Sequence, residues 1–198
     1  MLLWLMIIAG VVFFDQLTKW LTVINLEYRE WPLEADTFPI IEDVFHFTHA
    51  RNPGMAFGML GEENQRWIFM SISTVAIIGM FIYLVINRKG SKLMCVAFSF
   101  IIGGGIGNMI DRCLLGYVTD FIDFRIINFA IFNIADSFVC IGVGLFALYV
   151  ILDEIKLSKL KKAEALALNV VDANENENNS EENTKDVNYE EDKTEADN

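Results

Sequence analysis

The chain has 198 residues, of which 54% are hydrophobic and 13% aromatic, a composition typical of a membrane protein and unlike that of a soluble domain. Its net charge is −12, but twelve acids and two lysines fall within residues 164–198, so that segment carries −10 of the total. The negative net charge is therefore a property of the C-terminal tail. Because the chain has no basic patch with interleaved aromatic residues, we expect no nucleic-acid partner.

Residues 2–26 form the first predicted helix, which is long enough to cross a hydrocarbon core of about 30 Å. The segment lacks the positive start and cleavage site of a signal peptide, so we expect it to be retained. Asp15 and Lys19 interrupt it four residues apart, where they share a helix face and can pair. This pair either positions helices or takes a direct part in a site, and both interpretations stay open here.

Residues 27–66 are mostly polar, contain all three prolines and include β-prone pieces, which predicts an extramembrane loop with some strand. Residues 52–58 within it combine Asn, Pro and two Gly, a composition typical of tight turns. His46 and His49 lack the spacing of a metal-binding helix and would lie on opposite faces of a strand. The sequence therefore predicts no metal.

Three more apolar segments follow at residues 67–87, 93–110 and 126–152. Basic residues come directly after the second and the last span, and such clusters stay on the cytoplasmic side. We therefore predict an all-α membrane protein with four transmembrane helices, both termini cytoplasmic, and outer loops at about 27–66 and 111–125. Residues 1–153 form the membrane domain in this prediction. Residues 154–198, basic and then acidic, form a disordered cytoplasmic tail that either solubilises the chain or docks a partner.

The polar residues inside these spans are predicted to meet at one depth. Counted at 1.5 Å per residue from the cytoplasmic ends, Asp15, Asp111 and Asp136 all lie in the outer part of the membrane. An ionisable group at membrane depth costs at least about 2.5 to 3.5 kcal/mol, so such groups usually mark a working site. The same layer also contains Lys19, Asn108, Arg112 and Asn133.

The chemistry of this cluster points to two aspartates. Asp120 and Asp136 could share a proton, because two close carboxylates cannot both ionise cheaply, and one would then act as base toward water and the other as acid. We predict Asp120 and Asp136 as the catalytic pair and Asp123 as an exposed loop acid. The alternatives are a small transporter or proton pathway that uses buried Asp, Lys and Arg, and a noncatalytic assembly subunit. The chain has no internal repeat of the kind that transporters usually carry.

Five motifs occur in a fixed order, at residues 15–19, 52–58, 103–112, 118–121 and 132–137. Together they resemble the lipoprotein signal peptidases, or type II signal peptidases, an aspartic peptidase family, over about residues 2–152. Departures from the family pattern are Met55 and Gly105, where alanine is commoner, and Ala130, where proline is frequent. The acidic tail lies outside the pattern.

The resemblance implies an intramembrane aspartic endopeptidase that removes signal peptides from bacterial prolipoproteins, cutting before a cysteine that carries a diacylglyceryl group. It implies a small extracytoplasmic β-cradle from the first outer loop and a short outer helix before the last span. The partners would be the prolipoprotein and membrane lipid, without cofactor or metal. We expect a monomer in the bacterial inner membrane with its active site toward the extracytoplasmic face. The implied roles are catalytic for Asp120 and Asp136, substrate-binding for Asn52, Gly54, Asn108, Arg112 and Asn133, and supporting for Asp15, Lys19 and Asp111.

Overall fold

Four helices and a small antiparallel sheet make up the part of the chain that the computed structural model describes, residues 1–28, 37–53, 62–127 and 129–195. The elements in chain order are α1 (Leu2–Asn25), β1 (Thr37–Ile41), β2 (Phe45–Asn52), α2 (Glu62–Ile86), α3 (Lys92–Leu114), β3 (Val118–Phe124), a 3₁₀ turn (Arg125–Ile127) and α4 (Ile134–Glu195). The prediction of a mostly helical protein with a small sheet is confirmed.

Among the residues that the structure describes, three helices are long and apolar enough to cross a membrane: α1, α3 and the segment Ile134–Glu164 of α4. In α2 the described apolar stretch is the shorter Met70–Ile86. Large apolar side chains such as Phe13, Ile72 and Val75 are exposed on these helices, as expected for surfaces that face lipid instead of water.

Helix α3 lies against both α1 and α4 because glycines at the contact leave no side chain between the backbones. A Cβ on Gly104 would collide with the carbonyl oxygen of Ala135 in α4. A Cβ on Gly107 would lie 2.5 Å from a carboxylate oxygen of Asp15 in α1. Small residues permit close helix packing where lipid removes the usual hydrophobic force. The glycine-rich stretch thus brings polar groups of three helices together.

The apolar core lies at the other end of α1 and α3. Trp4 of α1, Leu84 of α2 and Met94 of α3 are buried in one cluster, and the Phe98 ring of α3 stacks on Phe146 of α4 at 5.1 Å. Apolar packing at one end leaves the polar residues of the same helices concentrated at the opposite end.

The last helix begins later than the sequence predicted. Its predicted start was residue 126, but α4 begins at Ile134. Residues 125–127 form the 3₁₀ turn, and the backbone of Phe132 bonds to Ile122 of β3 instead of continuing a helix. Asn133 then caps α4, so a local side chain, which apolar periodicity does not register, sets the start.

Helix α4 continues through Glu195 and so covers most of the segment that the sequence predicts to be disordered. Two compact units divide the chain, Met1–Tyr149 and Val150–Asn198. The composition of the tail argues against burial in a core, whereas a helix needs only local backbone hydrogen bonds. The division into a membrane domain and a disordered tail at residue 153 stays a prediction.

Candidate active site

Asp120 lies in β3 with a side chain held by two asparagines. The residue is only 2% exposed. Asn133 Nδ2 donates to Oδ1 at 2.7 Å, and Asn52 Nδ2 donates to Oδ2 at 3.0 Å. Both carboxylate oxygens therefore have a protein donor, as a buried carboxylate requires.

A bulge in β2 places Asn52 on the same sheet face as Asp120. Phe47 pairs with Ile122 and Ala50 with Asp120, so β2 has one more residue than β3 between these pairs. Beyond the bulge Asn52 lies opposite Val118, two residues from Asp120. Opposite residues share a face and residues two apart on a strand do so too, which brings the amide to the carboxylate.

Asp136 lies in the first turn of α4, where it takes part in capping the helix. Its backbone N–H donates to Asn133 Oδ1 at 3.0 Å, and the Asn133 N–H donates back to Asp136 Oδ2 at 3.2 Å. This is a capping box with aspartate at the third helical position. The other oxygen, Oδ1, accepts from Asn108 Nδ2 at 2.7 Å.

Asn108 and Asn133 connect the two carboxylates into one network. Asn133 Nδ2 contacts Asp120, and it also lies 3.0 Å from Asn108 Oδ1, while the Asn108 amide nitrogen donates to Asp136. The structure thus brings Asp120 of β3, Asp136 of α4, Asn108 of α3 and Asn52 of β2 into a single site.

Lys19 is the buried cation of the neighbouring cluster. Its Nζ lies 2.9 Å from Asp15 Oδ2, 3.2 Å from Asp111 Oδ2 and 2.9 Å from Asn108 Oδ1. The three acceptors match the three ammonium donors. Asp15 also accepts from the backbone N–H of Ala135 at 2.9 Å, which is an orphan donor at the start of α4.

Asp111 extends this cluster to β3, because its Oδ2 accepts from the backbone N–H of Thr119 at 3.0 Å. Asp15, Lys19 and Asp111 thus connect α1, α3, the start of α4 and β3, yet none of them contacts Asp120 or Asp136 through a described hydrogen bond. Of the two interpretations of the Asp15 and Lys19 pair, this geometry favours a positioning role.

Arg112 supplies a second cation beside the carboxylates. Its charge interacts with Asp136, Asp120 and Asp111, and its Nη1 lies 3.4 Å from the carbonyl oxygen of Asn108. Its Nε is buried without a hydrogen-bond partner among the described residues. Gly54, which was predicted to bind substrate, lies outside the described residues.

The pKa of Asp120 is raised from 3.8 to about 6, chiefly by burial and also by the nearby negative charge of Asp136, while the hydrogen bonds from Asn52 and Asn133 oppose the rise. The cluster contains four aspartates and the two cations Lys19 and Arg112, so full ionisation would leave excess negative charge. Protonation of one carboxylate would reduce that excess.

Gln16 is a site neighbour that the sequence analysis did not identify. Gln16 Nε2 donates to Asp111 Oδ1 at 3.0 Å and to the carbonyl oxygen of Gly107 at 3.1 Å, joining α1 to α3. Gln16 stands directly after Asp15 in the first motif, and that adjacency was the available signal.

The prediction of Asp123 as an exposed loop acid is wrong. Asp123 lies buried in β3, where its Oδ2 accepts from Thr48 Oγ1 at 2.8 Å and pairs with Arg125 Nε at 3.1 Å. The strand pairing that buries it joins residues about 75 positions apart, which composition does not reveal. It contacts neither Asp120 nor Asp136 in the described hydrogen bonds.

The two histidines have separate partners in or near the sheet. His46 Nδ1 lies 2.9 Å from Thr37 Oγ1, and His49 Nδ1 lies 3.0 Å from the carbonyl oxygen of Leu26. Burial lowers the pKa of His49, so its neutral form is favoured. Within the described ranges, no group of three or more His, Cys, Asp or Glu side chains could hold a metal ion.

Helices of membrane-spanning length around a cluster of buried carboxylates define a membrane protein with a polar site between its helices. The sequence profile of the family described as Signal peptidase (SPase) II matches residues 7–152. The chain belongs to this family and is a peptidase, as the sequence motifs predicted, rather than a transporter.

Relatives and solved structures agree with this assignment. The chain is 45% identical to a lipoprotein signal peptidase of Brevibacillus brevis over 76% of this chain and 97% of that protein. It is 42% identical to a lipoprotein signal peptidase of Bacillus subtilis over 80% of this chain and 99% of that protein. A bacterial membrane enzyme solved by the in meso method at 2.3 Å resolution matches with a TM-score of 0.66 at 35% identity, covering 76% of this chain and 88% of that one. The protein is therefore a multi-pass membrane protein.

Proposed function

We propose that this chain is an intramembrane aspartic endopeptidase that removes signal peptides from bacterial prolipoproteins, cutting on the N-terminal side of the diacylglyceryl-modified cysteine. The family and the names of its relatives support the substrate class. The observation that carries the mechanism is the bridge of asparagine amides, from Asn108 and Asn133, between the buried carboxylate of Asp120 and the half-buried carboxylate of Asp136.

In this mechanism Asp120 holds the shared proton and Asp136 is the base. Asp120 is the more enclosed of the two, and its pKa is raised to about 6. Asp136 accepts from the backbone N–H of Asn133 and from the Asn108 amide, and it lies at a helix N-terminus, where negative charge is favourable.

The reaction then balances over two steps. Asp136 takes a proton from water while the water oxygen attacks the scissile carbonyl carbon, and Asp120 gives its proton to the carbonyl oxygen. The tetrahedral diol collapses when Asp136 protonates the leaving nitrogen and Asp120 recovers a proton from a hydroxyl group. Cleavage releases a free amine on the lipidated cysteine and restores the starting protonation.

For substrate binding we assign Arg112, Asn52, Asn108, Asn133 and Gly54. The Arg112 Nε–H can donate to a substrate carbonyl, because it is buried without a partner among the described residues. The side chains of Asn52, Asn108 and Asn133 hydrogen-bond to the carboxylates of Asp120 and Asp136. Each asparagine therefore affects the substrate by fixing the positions of these two carboxylates.

The proposed topology has four spans, both termini in the cytoplasm and a monomer in the bacterial inner membrane. Asp15 and Lys19 lie in the C-terminal half of α1, Asp111 in the last turn of α3 and Asp136 in the first turn of α4. These positions share one end of the bundle, the end opposite the basic connection after α2. The site then faces the extracytoplasmic leaflet, where the diacylglyceryl group would hold the substrate cysteine.

The test is cleavage of a diacylglyceryl-modified prolipoprotein by the full chain reconstituted in lipid, followed by mass spectrometry. Loss of a general acid or base costs about 10²- to 10⁴-fold in rate, and we expect at least that loss for Asp120→Asn and for Asp136→Asn. The matched control is Asp123→Asn, which removes a buried acid from the same strand and should keep cleavage within about tenfold of wild type, below that range. Near wild-type cleavage by a folded Asp120 or Asp136 variant would exclude that residue as catalytic.

A further inference from the structure

A cavity of about 500 Å³ lies between the C-terminal half of α1 and the sheet. Leu21 of α1 and Leu26, which follows α1, line it on one side, and Phe38, Phe47 and Phe121 line it from the three strands. Its volume falls within the range of about 300 to 1,000 Å³ typical of small-molecule sites. Neither the peptidase reaction nor the site described above uses this space.

The walls of the cavity are apolar even where its residues are polar. Thr18, Thr22 and Asn25 also line it, but each donates its hydrogen bond to a backbone carbonyl of its own helix, at 2.8 to 3.0 Å. The hydroxyl donors of Thr18 and Thr22 and one N–H of Asn25 are therefore engaged within α1. A polar ligand would find little to bind, whereas a hydrocarbon chain would lose nothing by entering.

The cavity is continuous with the surface that faces lipid. Leu21 and Phe38, on its rim, are 43% and 58% exposed, and the adjoining Val23 of α1 and Ile40 of β1 are exposed as well. Since α1 is long and apolar enough to cross the membrane, this exposed apolar surface is one that acyl chains can contact. The same surface borders the cavity.

We propose that this cavity binds an acyl chain of a membrane phospholipid. Phe121, which lines the cavity, directly follows Asp120 in β3. The acyl chain would therefore lie beside the strand that carries Asp120. We assign this lipid to the outer leaflet, and that assignment rests on the orientation under the proposed function. The proposal that an acyl chain occupies the cavity does not depend on it.

The experiment uses the full chain in nanodiscs that contain phosphatidylglycerol with a diazirine on its acyl chain. After irradiation, digestion and mass spectrometry locate the lipid adducts. We expect adducts at Phe47 and Phe121, although Phe121 is only 5% exposed, in addition to the adducts at lipid-facing Val23. Adducts confined to Val23 and other exposed positions would overturn the proposal.

Two variants of one residue sharpen the test. Thr22→Phe fills the cavity and should lower the adducts at Phe47 and Phe121 several-fold relative to those at Val23. Thr22→Val removes only the hydroxyl group and should leave the adduct pattern unchanged. If Thr22→Phe does not fold, the positions of the lipid adducts in the wild-type protein still decide whether the cavity binds an acyl chain. The cleavage assay, run in parallel, distinguishes failure of this proposal from failure of the proposed function, because the adducts do not depend on catalysis.

Discussion

Replacing Asp120 with asparagine should change how the free energy of unfolding depends on pH. Burial raises the pKa of Asp120 from 3.8 to about 6, so ionising the carboxylate costs more in the folded protein than in the unfolded chain. At about 1.36 kcal/mol per pKa unit, the difference is about 3 kcal/mol. Because the folded protein binds the Asp120 proton more tightly than the unfolded chain does, protonation adds to the free energy of unfolding. This contribution is complete below pH 3.8, is lost as the pH rises from 3.8 to about 6, and is absent above that range.

An asparagine side chain at this position carries no charge at any of these pH values, so the variant loses this pH-dependent contribution. It also has one acceptor oxygen where Asp120 has two, and cannot accept from both Asn52 and Asn133. An unmet buried donor costs about 1 to 3 kcal/mol, but this cost does not vary with pH. The stability of wild type minus that of the variant should therefore fall by about 2 to 3 kcal/mol from pH 4 to pH 7, because part of the contribution is already lost at pH 4.

The assay is denaturant unfolding in mixed micelles at pH 4, 5, 6 and 7, followed by tryptophan fluorescence and circular dichroism. Thr22→Val serves as the control, since it changes no titratable group and should differ from wild type by a constant amount. If the stability of wild type minus that of Asp120→Asn stays flat or rises with pH, the assignment of a raised pKa to Asp120 is refuted.

Three further substitutions test the scaffold of the site. Lys19→Met leaves two buried carboxylates without their cation and should lower the free energy of unfolding by about 3 to 5 kcal/mol at pH 7; a loss below about 1 kcal/mol would contradict a buried pair. Gly104→Ala places a methyl group against a backbone carbonyl and should lower the free energy of unfolding by about 1 to 3 kcal/mol in the same assay. Its control, Gly105→Ala, meets only the flexible end of an isoleucine and should lower it less. Equal losses in free energy would argue against close packing at Gly104. Asn133→Asp keeps a good N-cap but loses the amide that donates to Asp120, so cleavage should fall at least about 100-fold with helix content unchanged. Full activity would show that the asparagine bridge between the two carboxylates is dispensable.

Local features made much of the fold predictable from the sequence. Long apolar runs located the first three helices to within a few residues, and the four-residue spacing of Asp15 and Lys19 anticipated the ion pair that the structure contains at 2.9 Å. Both features depend on helix geometry alone. Asn108 and Asp111, three residues apart, likewise both face inward from α3.

What could not be predicted depends on contacts between distant parts of the chain. The bond from Asn52 to Asp120 joins residues 68 apart and needs the register of β2 against β3. The burial of Asp123 needs the same pairing. The start of α4 at Ile134 depends on a single capping side chain, and apolar periodicity averages over such positions.

The bulge in β2 also gives this strand a spare residue. Between the pairs Phe47 with Ile122 and Ala50 with Asp120, two residues of β2 face one of β3. A chain that lacked one residue in this stretch could close the bulge, pair regularly and still bring Asn52 opposite Val118. A second deletion would move Asn52 out of that register. Strands of two different lengths can therefore build the same site, so an alignment gap of one residue here is compatible with a working enzyme.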